Sequence, residues 1–301
     1  MLKSKDTLII GVDGGGTGCR AAIGTQARGM LALAEGEAAN ATTDLEITIQ
    51  NIISTVNAAT VKAGFSLDQL SQANAHLGLA GAISESLRSQ ISQTLPYGKS
   101  VVTDDRPTAI VGALCGQDGY LVSVGTGTII AASTSKTFQY VGGWGYQVSD
   151  QGSGAWLGRA ALEHVLLCHD GLADHSDLSL ILFEKFKNNP NLIVNFSTSA
   201  RPKDFGSLAP TVISGAKSGD IWAQRTLQAG ADYLMSGLKR LGFCAGDPLC
   251  LVGGLGLYYA NYLHRDALTG LMPAKGTALD GAFALARTGS SLIRKKINDY
   301  Y

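Results

Sequence analysis

The stretch GVDGGGTGCRAAI, residues 11–23, decides the fold of this chain. An apolar run ending at Asp13 meets three consecutive glycines and a threonine, and a second apolar run follows directly. Glycine costs conformational entropy in a strand and adds no packing, so three in a row indicate a tight turn or a close neighbour. We predict two strands joined by a hairpin tip over residues 14–17.

The composition of the whole chain limits its partners. The 301 residues are 45% hydrophobic, and the 24 basic and 24 acidic side chains give a formal net charge of zero. No overall field attracts nucleic acid or a membrane, so we expect a small-molecule partner. Five scattered cysteines without a CxxC pair favour a reducing, cytoplasmic location. No apolar run reaches the roughly 20 residues of a membrane span, and no export signal is expected.

Strand and helix patterns alternate along the chain, which is typical of an α/β fold. A helix is predicted from Leu45 to about Gly64. YLVSVGTGTIIAAS, residues 120–133, repeats the opening pattern of apolar strand, Gly/Thr tip and second strand. Such a repeat indicates a duplicated fold, and we predict two domains, residues 1–115 and 116–301.

Four further segments belong to the second predicted domain. Helices are predicted from Asp150 to about His169 and from Pro210 to Leu241. NFSTSARPKDFG, residues 195–206, is interpreted as a polar loop, and LCLVGGLG, residues 249–256, as a strand that ends in glycines.

The first tip has the chemistry of a phosphate-binding loop. Its glycines leave backbone N–H groups unshielded, and Thr17 adds a hydroxyl donor. If a triphosphate lies there, Asp13 faces the accompanying Mg²⁺, through water because Mg²⁺ dehydrates reluctantly. A second tip, GTGT at residues 125–128, offers another set of N–H groups. A glycine-rich turn without a ligand is the alternative for each tip.

VTDD, residues 102–105, ends a predicted strand with two carboxylates. The carboxyl ends of strands in α/β sheets open into the ligand crevice, where a carboxylate can accept the proton of an attacking hydroxyl. The alternative is a helix N-cap before Pro107, which we expect of Asp105.

A glycine-rich segment, residues 142–158, surrounds Trp144 and contains Asp150 a few residues further along. An aromatic ring beside a carboxylate suits a sugar, because the ring stacks on apolar faces and the carboxylate accepts from hydroxyls. A tryptophan buried in a tight turn is the alternative.

Five segments, in order, resemble the motifs of the sugar-kinase, heat-shock-70 and actin-like ATPases, specifically the branch of N-acetylglucosamine kinases and BadF-type ATPases. They are GVDGGGTGCRAAI, VTDDRPTAI, LVSVGTGT, GGWGYQVSDQGS and LCLVGGLG. The resemblance spans nearly the whole chain. It implies an α/β fold of two ribonuclease-H-like domains, as in actin-like ATPases, with an interdomain cleft that closes on ATP, Mg²⁺ and a sugar. A homodimer is the usual expectation for this family.

The resemblance also implies a role for each motif residue, with Asp104 as the catalytic base. The residues implied to bind ATP and its Mg²⁺ are Asp13, Gly14, Gly15, Gly16, Thr17, Thr126, Gly127, Ala216, Gly253, Gly254 and Leu255. The residues implied to bind the sugar are Asn40, Asp104, Thr126, Gly127, Gly143, Trp144 and Asp150. One departure stands out, because the branch commonly has Asp-Glu-Gly-Ser where this chain has Gln151 after Asp150.

The activity implied is that of an ATP-dependent aminosugar kinase acting on the 6-hydroxyl of N-acetylglucosamine or glucosamine. An activator ATPase of a reductase or dehydratase is one alternative, but it needs cysteine ligands for an iron–sulfur cluster, and residues 150–162 contain no cysteine. A non-catalytic sugar or nucleotide sensor is the other. The presence of Asp13, Asp104 and both threonine tips argues against it.

Overall fold

The structure is a computed structural model, and it describes residues 7–41, 44–135 and 137–288. Its strands are β1 Leu8–Gly14, β2 Cys19–Thr25, β3 Gly29–Gly36, β4 Asn74–Leu79, β5 Lys99–Thr103, β6 Gly119–Val124, β7 Thr128–Thr134, β8 Thr137–Val141 and β9 Leu249–Val252. Its α-helices are α1 Leu45–Lys62, α2 Glu85–Thr94, α3 Asp105–Leu114, α4 Gly154–His169, α5 Asp177–Lys185, α6 Pro190–Ser199, α7 Pro202–Gly206, α8 Ala209–Lys217, α9 Ile221–Arg240, α10 Gly256–Tyr259 and α11 Ala278–Thr288. Within the described ranges, none of these helices has the length and hydropathy needed to cross a membrane.

The described residues form two compact units. Unit 1 comprises those of Met1–Tyr120, Ala131–Gln139 and Pro273–Tyr301, and unit 2 comprises Leu121–Ile130 and Tyr140–Met272.

The last helix, α11, belongs to unit 1, whereas the sequence-based division places it in the second domain. Helix α11 packs against β1 and α3. Gly11 on β1 allows this close approach, because a Cβ there would lie 2.5 Å from the backbone nitrogen of Phe283. Such long-range packing leaves no local signal in the sequence.

Unit 1 contains a five-stranded sheet in the order β3-β2-β1-β4-β5. Strand β1 pairs antiparallel with β2, as the hairpin prediction requires, and parallel with β4. Both faces of β1 are covered, since Ile10 packs in the core cluster with Ile52 of α1, whereas Ile9 packs with Phe283 of α11. Burial on two faces explains why β1 is continuously apolar rather than alternating.

A second sheet has the order β8-β7-β6-β9, which repeats the β3-β2-β1-β4 part of the first sheet. The predicted duplication is therefore visible in the topology, with the two glycine tips at equivalent turns, between β1 and β2 and between β6 and β7. The predicted α/β class is confirmed.

The interpretation of residues 195–206 as a loop is wrong, because most of this segment lies in α6 and α7. Helix α6 begins with a proline, and the Asn189 side chain caps it by accepting from the N–H of Asn191. The Phe196 ring packs edge-on against Phe186 and Phe205, with centroid distances of 5.3 Å in both pairs. Aromatic packing stabilises a segment whose own pattern is polar.

Candidate active site

The first predicted phosphate tip lies at the carboxyl end of β1 in unit 1. Gly14 is required by packing, since a Cβ there would lie 2.8 Å from the carbonyl oxygen of Ala39. The N–H of Gly15 closes the turn. Gly16 and Thr17 are exposed, and their N–H groups donate to no described residue. Two outward donors are thus available to an anion.

Two other predicted residues lie beside this tip. The Asp13 carboxylate forms an ion pair with the guanidinium of Arg20, its cross-strand neighbour, and its side chain remains 15% exposed. A Cβ on Gly16 would lie 3.7 Å from the side-chain nitrogen of Asn40. One edge of unit 1 therefore carries the predicted Mg²⁺ residue, a phosphate tip and one predicted sugar residue.

Asp104 follows β5 and forms the N-cap of α3. The expectation that Asp105 caps this helix is wrong, because α3 begins one residue earlier and Asp105 is already its first helical residue. The Oδ1 atom of Asp104 accepts the backbone N–H of Arg106 at 3.0 Å. The Arg106 side chain also donates to Asp104, from Nε to Oδ1 at 2.9 Å and from Nη2 to Oδ2 at 2.8 Å.

The surroundings of Asp105, at the same edge, disfavour the ionised form of its carboxyl group. Burial is the main cause that raises the pKa of Asp105 to about 6, and the negative charges of Asp104 and Asp13 raise it further, whereas Arg106 lowers it. Asp104 and Asp13 are therefore both close enough to act on Asp105. This juxtaposition joins the ends of β1 and β5, which flank β4 in the sheet.

In unit 2, the second predicted tip lies against the N-terminus of α4. The Gly125 N–H donates to the Gly127 oxygen at 3.0 Å, which leaves Thr126 exposed at the apex. The Gly154 N–H donates to the Gly125 oxygen at 2.8 Å. The sequence predicts that helix α4 begins at Asp150. The helix begins at Gly154 instead, because Ser153 provides its N-cap.

Asp150 lies in the loop before α4 with a left-handed backbone, φ +58°. Its Oδ1 atom accepts the Gly145 N–H at 3.3 Å. A Cβ built on Gly127 would lie 3.0 Å from the Oδ2 atom of Asp150. This oxygen accepts no hydrogen bond from the described residues. Burial raises the pKa of Asp150, and the Gly145 hydrogen bond opposes this. Gly127 of the second tip therefore lies next to an Asp150 oxygen that is available to a ligand.

Trp144 is 58% exposed, so the alternative of a tryptophan buried in a tight turn is wrong. The glycines around it, Gly142, Gly143 and Gly145, have φ of +71°, +74° and +97°. Side chains other than glycine rarely adopt this conformation. The loop therefore presents an indole ring to solvent, where it can stack on a ligand.

The predicted ATP-binding residues Gly253, Gly254 and Leu255 follow β9 and lie against Val124 at the end of β6, beside the second tip. Gly253 has φ +83°, and a Cβ there would lie 2.3 Å from the Val124 oxygen. The same oxygen accepts the Leu255 N–H at 2.9 Å. Nothing lies within 4 Å of a Cβ built on Gly254, so its backbone is open to a ligand.

Ala216 is buried in α8, so any contact it makes with a nucleotide would come through its neighbours. Two residues that follow Ala216 have structural roles. Gly219 turns the chain with φ +95°, and Asp220 caps α9 by accepting the Ala223 N–H at 2.8 Å.

A surface cavity of about 670 Å³ in unit 2 was not predicted from the sequence. Its walls come from α8, α9 and the segment around α10: Lys217, Gln224, Arg225, Gln228, Tyr258, Asn261 and Tyr262. The Lys217 Nζ atom lies 5.4 Å from the centroid of the Tyr258 ring. The lining combines two cations, carboxamides and aromatic rings without a carboxylate. The only hint in the sequence is that Lys217 follows Ala216 and Tyr258 lies three residues after Leu255.

Among residues 7–41, 44–135 and 137–288, no three His, Cys, Asp or Glu side chains are placed to hold a metal ion together.

The chain is similar to proteins that are named as kinases of amino sugars. A model of the BadF/BadG/BcrA/BcrD ATPase family matches residues 10–267. The glucosamine kinase GspK of Vibrio cholerae is 29% identical over 278 residues, which are 92% of this chain and 95% of that protein. The N-acetylmuramic acid/N-acetylglucosamine kinase of Clostridium acetobutylicum is 28% identical over 243 residues, 77% of this chain and 78% of that protein. The solved structure of a proposed N-acetylglucosamine kinase from Chromobacterium violaceum superposes with a TM-score of 0.87 at 30% identity, covering 93% of this chain and 99% of that one. This likeness confirms the predicted two-domain, ribonuclease-H-like fold.

Proposed function

We propose that this chain, which belongs to the BadF/BadG/BcrA/BcrD ATPase family, is a cytoplasmic, ATP-dependent aminosugar kinase that phosphorylates the 6-hydroxyl of N-acetylglucosamine or glucosamine. The observation that carries the proposal is the edge of unit 1, where Asp13, the Asp104 carboxylate and a glycine tip lie at the ends of strands of one sheet. The Gly16 and Thr17 N–H groups of this tip donate to no described residue. The relatives named as kinases of these sugars support the same substrate class.

Asp104 acts as the general base. It accepts the proton of the 6-hydroxyl while that oxygen forms a bond to the γ-phosphorus of ATP. The bond from the γ-phosphorus to the bridging oxygen breaks, and ADP leaves with the electron pair. The N–H groups of Gly16 and Thr17 donate to phosphate oxygens, and Thr126 and Gly127 are assigned to phosphate binding as well.

The residues present fit a magnesium ion that keeps most of its water. Asp13 offers one partly exposed carboxylate at the end of β1, and Arg20 is its present partner. Mg²⁺ in phosphoryl-transfer sites commonly takes one or two carboxylates plus substrate phosphates. Asp13 would hold the ion through water, and the bound ion would neutralise charge on the phosphate oxygens.

The nucleoside and the sugar are assigned to residues of different loops. The backbone of Gly253 and Gly254, which is open to a ligand at Gly254, contacts the adenosine. The cavity lined by Tyr258 accepts the base against the ring of that tyrosine. The sugar is bound by the side chains of Asn40, Trp144 and Asp150 together with backbone at Gly143. The available Oδ2 of Asp150 accepts from a sugar hydroxyl.

The test is ADP release from Mg²⁺-ATP with glucosamine, N-acetylglucosamine, N-acetylmannosamine or glucose, beside a control without sugar. One amino sugar is expected to stimulate release. Asp104→Asn is expected to lower kcat by about 10² to 10⁴-fold with little change in the KM for sugar. Asparagine is an equally good N-cap, so α3 should persist.

The matched control is Asp44→Asn, the same substitution at the N-cap of α1. It should leave turnover unchanged. Equal ADP release with and without sugar, or normal turnover by Asp104→Asn, would contradict the proposal.

A further inference from the structure

Among the described residues, one neighbour donates to the carboxylate of the proposed base. Both oxygens of Asp104 are engaged by Arg106, through its backbone N–H, Nε and Nη2, at 2.8 to 3.0 Å. The two side chains are only 13% and 24% exposed, respectively. A guanidinium presents its donors in a rigid planar fork that matches a carboxylate, so this arrangement fixes the carboxylate plane as well as its position.

The contacts are unequal between the two oxygens. A carboxylate has about four acceptor sites, two on each oxygen. Oδ1 accepts two N–H groups, from the backbone and from Nε, and both of its sites are used. Oδ2 accepts one, from Nη2, and the described residues leave its second site open. Only Oδ2 can therefore accept another proton without breaking a hydrogen bond.

We propose that Arg106 is a positioning residue that makes Oδ2 of Asp104 the proton-accepting atom. The inference rests on the proposed kinase function. The proton of the sugar 6-hydroxyl passes to Oδ2 as the oxygen–phosphorus bond forms, ADP departs with the electrons of the broken bond, and the proton then passes to solvent. The backbone N–H alone would hold Oδ1 but leave the carboxylate free to turn about its last side-chain torsion.

The test is a double-mutant cycle on the full chain. Arg106→Gln keeps the backbone N–H and most of the side-chain stem but removes the fork. It is expected to lower kcat by about 10 to 100-fold, the scale of a misplaced catalytic group, with less than about a two-fold change in the KM for sugar. Arg106→Lys restores the charge but not the fork, so it should recover only part of kcat.

The decisive readout is non-additivity. In an Asp104→Asn background, Arg106→Gln should cost no further activity, since the group it positions is already absent. Arg20→Gln, which removes the arginine paired with Asp13, is the control. The fold-change in kcat that Arg20→Gln causes in the wild-type background should be the same in the Asp104→Asn background.

The outcomes separate the two claims. Wild-type kcat in Arg106→Gln and Arg106→Lys, with Asp104→Asn impaired, would overturn the role of Arg106 and leave the kinase proposal standing. Multiplicative effects of Arg106→Gln and Asp104→Asn would also overturn it. Normal turnover in Asp104→Asn would instead reject the base itself. If Arg106→Gln unfolds, which circular dichroism would reveal, the cycle is run with Arg106→Lys under the same expectations.

Discussion

Asp105→Asn is expected to stabilise the protein at neutral pH and to have no effect in acid. In the folded protein, burial and the charge of Asp104 raise the pKa of Asp105 from 3.8 to about 6. Below pH 3.8 the carboxyl group is protonated in both the folded and the unfolded states, so it carries no penalty. The penalty grows as the pH rises from 3.8 to 6, because the folded state must release a proton that it binds more tightly, and it is complete above pH 6.

The size of this effect follows from the two pKa values. A difference between 3.8 and about 6, at about 1.4 kcal/mol per pH unit, makes ionised Asp105 cost about 3 kcal/mol of folding free energy. Asparagine has nearly the same volume and never ionises. The variant should therefore exceed the wild type by about 3 kcal/mol at pH 7.5 and by nearly nothing at pH 3.5.

Denaturant unfolding of both proteins at these two pH values measures the difference. Burial lowers the pKa of His76 to about 4, so acid also destabilises the fold through that histidine. This contribution is common to both proteins and cancels in the comparison. No gain in the free energy of unfolding for Asp105→Asn at pH 7.5, or an equal gain at both pH values, would contradict the raised pKa of Asp105.

Two further predictions concern unit 2. Gly253→Ala should cost roughly 1–3 kcal/mol of stability and raise the KM for ATP, because the new Cβ would lie 2.3 Å from the Val124 oxygen at φ +83°. Gly254→Ala, at a position with open space, is its control and should cost little; equal losses in thermal denaturation would contradict the argument. Tyr259→Phe should cost roughly 1–3 kcal/mol, since it removes the buried hydroxyl that donates to the Gly152 oxygen at 2.7 Å. An unchanged unfolding free energy would show that this oxygen finds another donor.

Local patterns predicted the elements whose signal lies within one segment. The β1–β2 hairpin and helix α1 are confirmed, because an apolar strand with glycines at its end and an amphipathic run closed by Gly64 are self-contained signals. The sequence predicts no strand over β3, and it predicts a loop at residues 195–206, where the end of α6 and α7 lie. Contacts of the Phe196 ring with Phe186 and Phe205 stabilise this region, and the polar pattern of the segment does not reveal them.

The same distinction applies to the candidate site, where contiguous motifs could be predicted and features that depend on the fold could not. The glycine tips and Asp104 could be found because motifs are contiguous in sequence. Assignment of the N-cap to Asp105 instead of Asp104 failed by one residue, since both side chains can cap a helix and only the backbone conformation distinguishes them. The cavity lined by Lys217 and Tyr258 joins positions about 40 residues apart, and the exposure of Trp144 depends on backbone angles at its glycine neighbours.

Phosphorus NMR after incubation with Mg²⁺-ATP and each amino sugar identifies the product and so distinguishes a kinase from an ATPase. We expect a phosphomonoester coupled to the two C6 protons of one amino sugar, formed in equal amount to ADP, and absent with Asp104→Asn. Inorganic phosphate as the only new signal, with ADP formed regardless of sugar, would contradict the amino-sugar kinase activity.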